Sequence, residues 1–153
     1  PNLQTMEAIY LYPSLCLFEG TVISVGRGTD KPFEQWGNPE IPAKGMDEFM
    51  PMSRVGATSP PFEGKICYGR IATISDVQKA KKGIQLDYLL EMYARYPDKE
   101  KFFNSFFEKL AGTKLLRQQI IFGMKADAIR NSWKPGLDNF KKIRSKYLLY
   151  AES

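Results

Sequence analysis

Leu15-Cys16-Leu17-Phe18-Glu19-Gly20-Thr21-Val22-Ile23-Ser24-Val25-Gly26-Arg27-Gly28-Thr29-Asp30-Lys31-Pro32-Phe33 decides how the first half of this chain is read. Residues 15–18 form a short apolar run bounded by turn residues, which reads as a buried strand. Residues 21–25 are rich in β-branched side chains and read as a second strand. Glu19-Gly20 and Gly26-Arg27-Gly28 read as the turns that close them. Further strands are expected at 49–53 and at 65–74, the latter alternating over part of its length.

Eight of the ten prolines precede position 62, and eight of the twelve glycines precede position 70. That density fits short strands and structured loops. An opening helix is expected over 5–11, with Thr5 as N-cap and Tyr12-Pro13 as its stop. Beyond 75 the pattern turns helical. Leu86, Leu89, Leu90 and Tyr93 follow the i, i+3, i+4, i+7 rule. Phe102, Phe103, Phe106, Phe107 and Leu110 repeat it, with Asp98 as N-cap. At that spacing the phenylalanines read as core before they read as an aromatic pocket. Gly112 ends that helix, and Thr113 caps one that stops at Gly123. A short helix over 126–133 and a last one over 136–150 follow, split by Pro135. The sum is one α+β domain, residues 1–153. A small mixed or antiparallel sheet from the first half packs against about four helices from the second.

Composition narrows the chemistry. The chain has 153 residues, 43% of them hydrophobic, and no histidine. Imidazole acid–base chemistry, Ser–His pairs and HExxH metal sites are excluded within it, and two cysteines build no zinc site. Catalysis here would rest on Asp, Glu, Tyr, Lys or Arg. The chain opens on Pro1 without a Met or a leader, which reads as a piece of a longer protein.

Residues 1–75 hold six basic and eight acidic side chains, and residues 76–153 hold sixteen and nine. The densest run, Lys141-Lys142-Ile143-Arg144-Ser145-Lys146, falls in a helical pattern whose apolar stripe is Leu137, Phe140, Ile143, Tyr147 and Leu148. A solvated helical face explains it better than nucleic-acid binding, which would want an Arg-rich arm or a known motif.

The quoted stretch carries the site candidates. Two glycines flank Arg27, letting a ligand approach the backbone and presenting a planar guanidinium suited to carboxylate or phosphate. Thr21, Ser24 and Thr29 add hydroxyls of the kind that orient sugars. Glu19 follows an apolar run, where a strand end delivers a side chain to a cleft. The plain alternative is a β-turn whose arginine pairs with a nearby acid, Glu19 among them. Gly-Arg-Gly-Thr matches neither a dinucleotide nor a P-loop pattern.

The same stretch resembles the signature of the NamZ-type exo-β-N-acetylmuramidase family, long catalogued as a domain of unknown function. The resemblance is carried by Tyr12-Pro13, Leu17 to Thr21, Ser24, Gly26 to Thr29, Pro32-Phe33 and Gly37-Asn38-Pro39. It continues through Pro60-Pro61-Phe62, Gly64-Lys65-Ile66-Cys67-Tyr68-Gly69, Leu86-Asp87-Tyr88-Leu89-Leu90 and Leu110-Ala111-Gly112-Thr113. Ile129-Arg130-Asn131-Ser132-Trp133, Phe140, Arg144 and Tyr147-Leu148-Leu149-Tyr150 close it. The wording of the helical half is most similar to the Bacteroidetes branch.

The resemblance implies an exported two-domain glycosidase, periplasmic or extracellular, that removes N-acetylmuramic acid from non-reducing ends of peptidoglycan fragments. A Rossmann-like N-terminal domain precedes a smaller α+β domain, and this chain matches the second. Pro1-Asn2 resembles the end of the linking segment. The family's Gly-Pro-Glu-His-Gly motif has no counterpart here. The partners implied are the muramic acid saccharide and the preceding domain, with no cofactor or metal. The 19–29 loop would wall an interdomain cleft. Arg27 would take the lactyl carboxylate, Ser24 and Thr29 sugar hydroxyls or the N-acetyl group, and Glu19 the role of one carboxyl group. The likelier acid would lie in the other domain.

Cys16 and Cys67 stand on expected strands, so an exported protein would be able to join them, and two buried free thiols are an equal expectation. The competing reading is a non-catalytic carbohydrate or peptidoglycan-binding module, with Trp36 exposed for stacking.

Overall fold

A computed structural model describes residues 3–150. Pro1-Asn2, where the linker resemblance falls, lies outside the described residues. The order is α1 (Met6–Leu15), a 3₁₀ turn (Cys16–Gly20), β1 (Gln35–Asn38), β2 (Asp47–Phe49), β3 (Cys67–Ile71), α2 (Ile74–Ala80) and α3 (Leu86–Arg95). Then come α4 (Phe107–Ala111), α5 (Leu115–Ile121), α6 (Ala126–Arg144) and a closing 3₁₀ turn (Ser145–Tyr147). The three strands form one antiparallel sheet, ordered β1-β3-β2. An α+β domain with a small antiparallel sheet is therefore what forms.

Thr5 caps α1 as expected, its hydroxyl accepting from the Ala8 amide at 3.0 Å. Pro13 does not stop the helix. Its ring removes one amide bond, but Leu11, Leu15 and Phe18 are fully buried on one side and hold the chain helical past it. The expected strand at 15–18 is thus the last residue of α1 and a 3₁₀ turn. A short apolar run looks the same in a buried strand and in a buried helix.

Residues 21–25 are extended but not a sheet strand. They make single bridges, Thr21 to Phe103 and Ser24 to Gly37. The Val22 amide donates to the Phe102 carbonyl at 3.0 Å, and Ser24 and Gly37 exchange amide bonds at 2.8 and 3.0 Å. The segment therefore laces the helical layer to β1. In the sheet, Gly37 faces Gly69. A Cβ on either would run into the neighbouring strand's backbone, so both positions need glycine.

The expected helix from Asp98 shortens to α4. Asp98 caps only a turn, accepting from the Lys101 amide at 3.3 Å. Phe102 and Phe103 are buried, but Phe103 sits in the bridge to Thr21. Asn104 ends the turn by binding the Gly20 and Glu19 carbonyls. Conversely, the two expected C-terminal helices are one. Ile129, Trp133, Leu137 and Phe140 keep a single helical face across Pro135, and that periodicity outweighs the lost amide bond. Trp36 lies in the core, stacked on Phe18 at a ring distance of 6.4 Å and tilted against Tyr88 at 4.8 Å. Both thiols are free.

Candidate functional site

The 3₁₀ turn ends at Gly20, where a Cβ would stand 2.5 Å from the Phe107 Cα. Only glycine lets α4 lie this close. Asn104 then grips the turn, its side-chain amide donating to the Glu19 carbonyl at 3.2 Å. Glu19 is so fixed at the start of the extended segment. Asn38, almost fully buried, holds the middle of that segment by donating to the Val22 carbonyl at 2.7 Å.

The segment closes on a tight loop. Gly26 and Gly28 both have positive φ, and a Cβ on Gly26 would meet the Gln35 side chain at 2.6 Å. Ser24 accepts from the Gly26 amide at 3.2 Å, buried within the loop. Thr29 donates to the Gly26 carbonyl at 2.7 Å and accepts from the Lys31 amide and from Gln35 Nε2. Arg27 projects from this frame. Its guanidinium lies 5.5 Å above the Phe33 ring, which meets Tyr12 edge-on at 5.1 Å. Its Nη2 donates to Glu19 Oε2 at 3.3 Å.

These parts surround a cavity of about 280 Å³. Phe18, Val22, Ile23, Val25, Pro61 and Phe62 give it apolar walls, and Glu19, Arg27, Thr21 and Ser24 its polar ones. The Thr21 hydroxyl donates to the Phe18 carbonyl at 2.8 Å. Four of the five sequence candidates thus come together. Thr29 is turned into its own loop and stands outside this cavity's lining. Phe33 and Phe62 have φ of 62° and 61°, the left-handed region that non-glycine residues rarely enter. Each follows a proline, and one supports Arg27 while the other walls the cavity. Strain of this kind gathers at ligand sites. The sequence offers Phe33 and Asn38 only as part of the family resemblance and does not single out Asn104. Asn38 and Asn104 act through contacts 16 and 85 residues away, and Phe33 through a ring contact with Arg27 that has no sequence signature.

A second cavity, of about 260 Å³, is lined by Asp47, Arg70, Thr73, Asp76, Tyr88 and Glu91 among others. Its charged side chains already have partners within the domain, Asp47 accepting from the Ile71 amide at 2.9 Å and Asp76 from Thr73 and Tyr88. Arg70 holds Glu91 through two bonds, at 2.6 and 3.3 Å, and Arg95 adds a third at 3.1 Å. Burial alone would raise the Glu91 carboxyl, but these arginines outweigh it and hold it below its ordinary value. Asp76 is held low in the same way, by Thr73 and Tyr88 against its burial. A general acid needs a raised value, so this network is structural. Burial pushes the Cys67 thiol up to about 12 and raises that of Cys16, leaving neither as a thiolate nucleophile. Trp36, expected at the surface for stacking on sugar, is 1% exposed and belongs to the core. Among the described residues no three metal-ligating side chains cluster. No described helix is long and apolar enough to cross a membrane.

Fold and cavity define a small α+β domain that presents one arginine from a glycine-framed loop and one carboxylate from the 3₁₀ turn before it. The chain belongs to the family described as exo-β-N-acetylmuramidase NamZ, C-terminal, which matches residues 10–150. It is 34% identical to the peptidoglycan β-N-acetylmuramidase NamZ of Bacillus subtilis, covering 98% of this chain and 39% of that protein. A crystal structure of a DUF1343 family protein from Bacteroides fragilis matches with TM-score 0.90 and 44% identity, over all of this chain and 43% of the other. A second DUF1343 protein of that organism shares the fold, with TM-score 0.67 and 20% identity, over 93% of this chain and 42% of its own. The chain thus spans about two-fifths of the length of these relatives.

Proposed function

We propose that this chain is the C-terminal domain of an exported, two-domain peptidoglycan hydrolase that releases N-acetylmuramic acid from non-reducing ends. In this reading the Glu19–Arg27 cavity is the domain's wall of the substrate cleft. The observation that carries the proposal is the pairing of Arg27 with Glu19 at 3.3 Å in a cavity whose walls are mostly apolar. Both side chains are about one-third exposed, so the pair itself adds only about 0–1 kcal/mol to stability. Arg27 therefore exchanges Glu19 for an incoming carboxylate at little cost. The lactyl group of muramic acid offers such a carboxylate beside a methyl, which suits the apolar walls. The N-acetyl methyl suits them equally, and Thr21 and Ser24 stand alongside for polar groups.

Glycoside hydrolysis takes two carboxyl groups, one to protonate the leaving oxygen and one to attack or to activate water. Among the described residues lining this cavity Glu19 is the one acid. Glu19 supplies one carboxyl group, and the other comes from the preceding domain, Rossmann-like in this reading. The enzyme works in the periplasm or outside the cell, where peptidoglycan lies.

The single-acid cavity also favours a second reading, a binding wall that contributes no proton transfer. One experiment separates the two. Purified chain and longer protein are given a muramic acid-terminated glycan. The longer protein is expected to hydrolyse it and the 153-residue chain to show no turnover. Turnover by the chain alone overturns the two-wall reading. Full hydrolysis by a Glu19→Gln longer protein leaves the binding-wall reading standing.

A further inference from the structure

Helix α6 starts against the core and leaves it without changing face. Ala126 and Ile129 are buried, and Trp133 packs on the core half-buried. The next residues on that stripe are Leu137, Phe140 and Ile143, at three- and four-residue steps of one helical face, and Tyr147 follows in the closing 3₁₀ turn. Every residue from 134 to 147 is exposed. Leu137 is 51% exposed, Phe140 58% and Tyr147 79%, so a buried stripe emerges as an open one. Contiguous apolar surface of this kind marks a docking site, where scattered exposed hydrophobics would not. An isolated helical piece of this length is also marginal in water, and Pro135 weakens it further.

We propose that the outer half of α6 docks onto the preceding domain of the same polypeptide, a rest on the reading above that this chain is part of a longer protein. The Bacteroides fragilis protein superposes on all of this chain with TM-score 0.90, yet more than half of its own length lies outside the match. A protein with this same fold, α6 included, therefore carries a large further stretch of chain that is available to cover the stripe. The open stripe continues the core-facing side of α6, so its cover must abut this domain along the same side. One helix face offers well under the roughly 800 Å² per partner that a stable separate pair buries. A covalently attached neighbour needs no such area, because its effective concentration is already high. Lys134, Lys141, Lys142 and Lys146 flank the stripe, against the single acid Asp138. The matching surface is apolar with a rim of carboxylates.

The test is amide hydrogen exchange on α6 in the 153-residue chain and in the longer protein. Residues 137–147 are expected to exchange more than tenfold more slowly in the longer protein. Phe140→Glu is expected to abolish that difference, while leaving the unfolding temperature of the 153-residue chain unchanged. Equal exchange in both proteins overturns the proposal. Protection that rises with concentration in the chain alone, together with dimer formation, overturns it in favour of a second copy. Protection gained only on phosphatidylglycerol vesicles overturns it in favour of an anionic lipid surface. The cavity's function is scored separately, by the kinetics of Arg27→Ala, so either reading can fail while the other stands.

Discussion

Arg27 and Glu19, eight residues apart in sequence, face each other at 3.3 Å on one cavity wall, each side chain about one-third exposed. Such a pair is held by its scaffold more than by its own attraction. Arg27→Ala should leave stability within about 1 kcal/mol of the parent. It should weaken binding of a muramic acid-terminated substrate by the ~1.5–3 kcal/mol of a hydrogen bond to a charged group. That is a KM roughly 10 to 150 times higher, measured in the longer protein. Arg27→Lys should recover only part of it, because an ammonium lacks the planar fork. An unchanged KM for Arg27→Ala removes the carboxylate clamp.

Glu19→Gln tests the chemistry without disturbing the shape. The amide keeps the size of the side chain and an oxygen for Arg27, while its charge and its proton are gone. As one of the two carboxyl groups, Glu19 should be worth about 10²–10⁴ in kcat, with KM and unfolding temperature little changed. A kcat within threefold of the parent would assign Glu19 to positioning Arg27.

The scaffold of this pair was only partly legible in the sequence. Thr5, Gly112 and Gly123 mark helix ends by local chemistry, and α1, α4 and α5 start or stop beside them. The Gly26-Arg27-Gly28 turn was legible for the same reason, since positive φ is a property of the residues themselves. Residues 15–18 misled because an unbroken run of four apolar residues carries no periodicity to separate helix from strand. Asp98 misled because Asn104, six residues on, is drawn to the carbonyls of Glu19 and Gly20. That contact spans 85 positions and has no local signature. Pro135 misled in the opposite sense, a strong local breaker overruled by a continuous apolar face.

Gly20→Ala probes how the turn bearing Glu19 depends on α4. The added methyl would stand 2.5 Å from the Phe107 Cα, and Phe107 is fully buried and has no room to yield. Overpacking of this kind costs about 1–3 kcal/mol. In a domain of this length that lowers Tm by roughly 2–4 °C per kcal/mol. Because the strain lands beside Glu19, activity of the longer protein should fall as well. A thermal melt at neutral pH checks the first effect, and an unchanged Tm would mean that α4 is free to shift.

The second cavity's acids should govern the acid limb of stability. Glu91 is held below the ordinary carboxyl value by Arg70 and Arg95, against its own burial, and Asp76 by Thr73 and Tyr88. A carboxyl lowered in the folded state stabilises the fold above its unfolded value, roughly pH 4. That contribution disappears as pH falls through the lower folded value. Unfolding temperature should therefore be flat from neutral pH down to about pH 5 and drop below about pH 4. Glu91→Gln should lower Tm at pH 7, because Arg70 and Arg95 lose their shared partner. With these side chains about one-third exposed, screening limits the loss to about 1 kcal/mol. The same variant should lose less than the parent on going from pH 6 to pH 3, so the two melting curves converge in acid. Parallel curves across that range would show that Glu91 titrates no differently folded than unfolded.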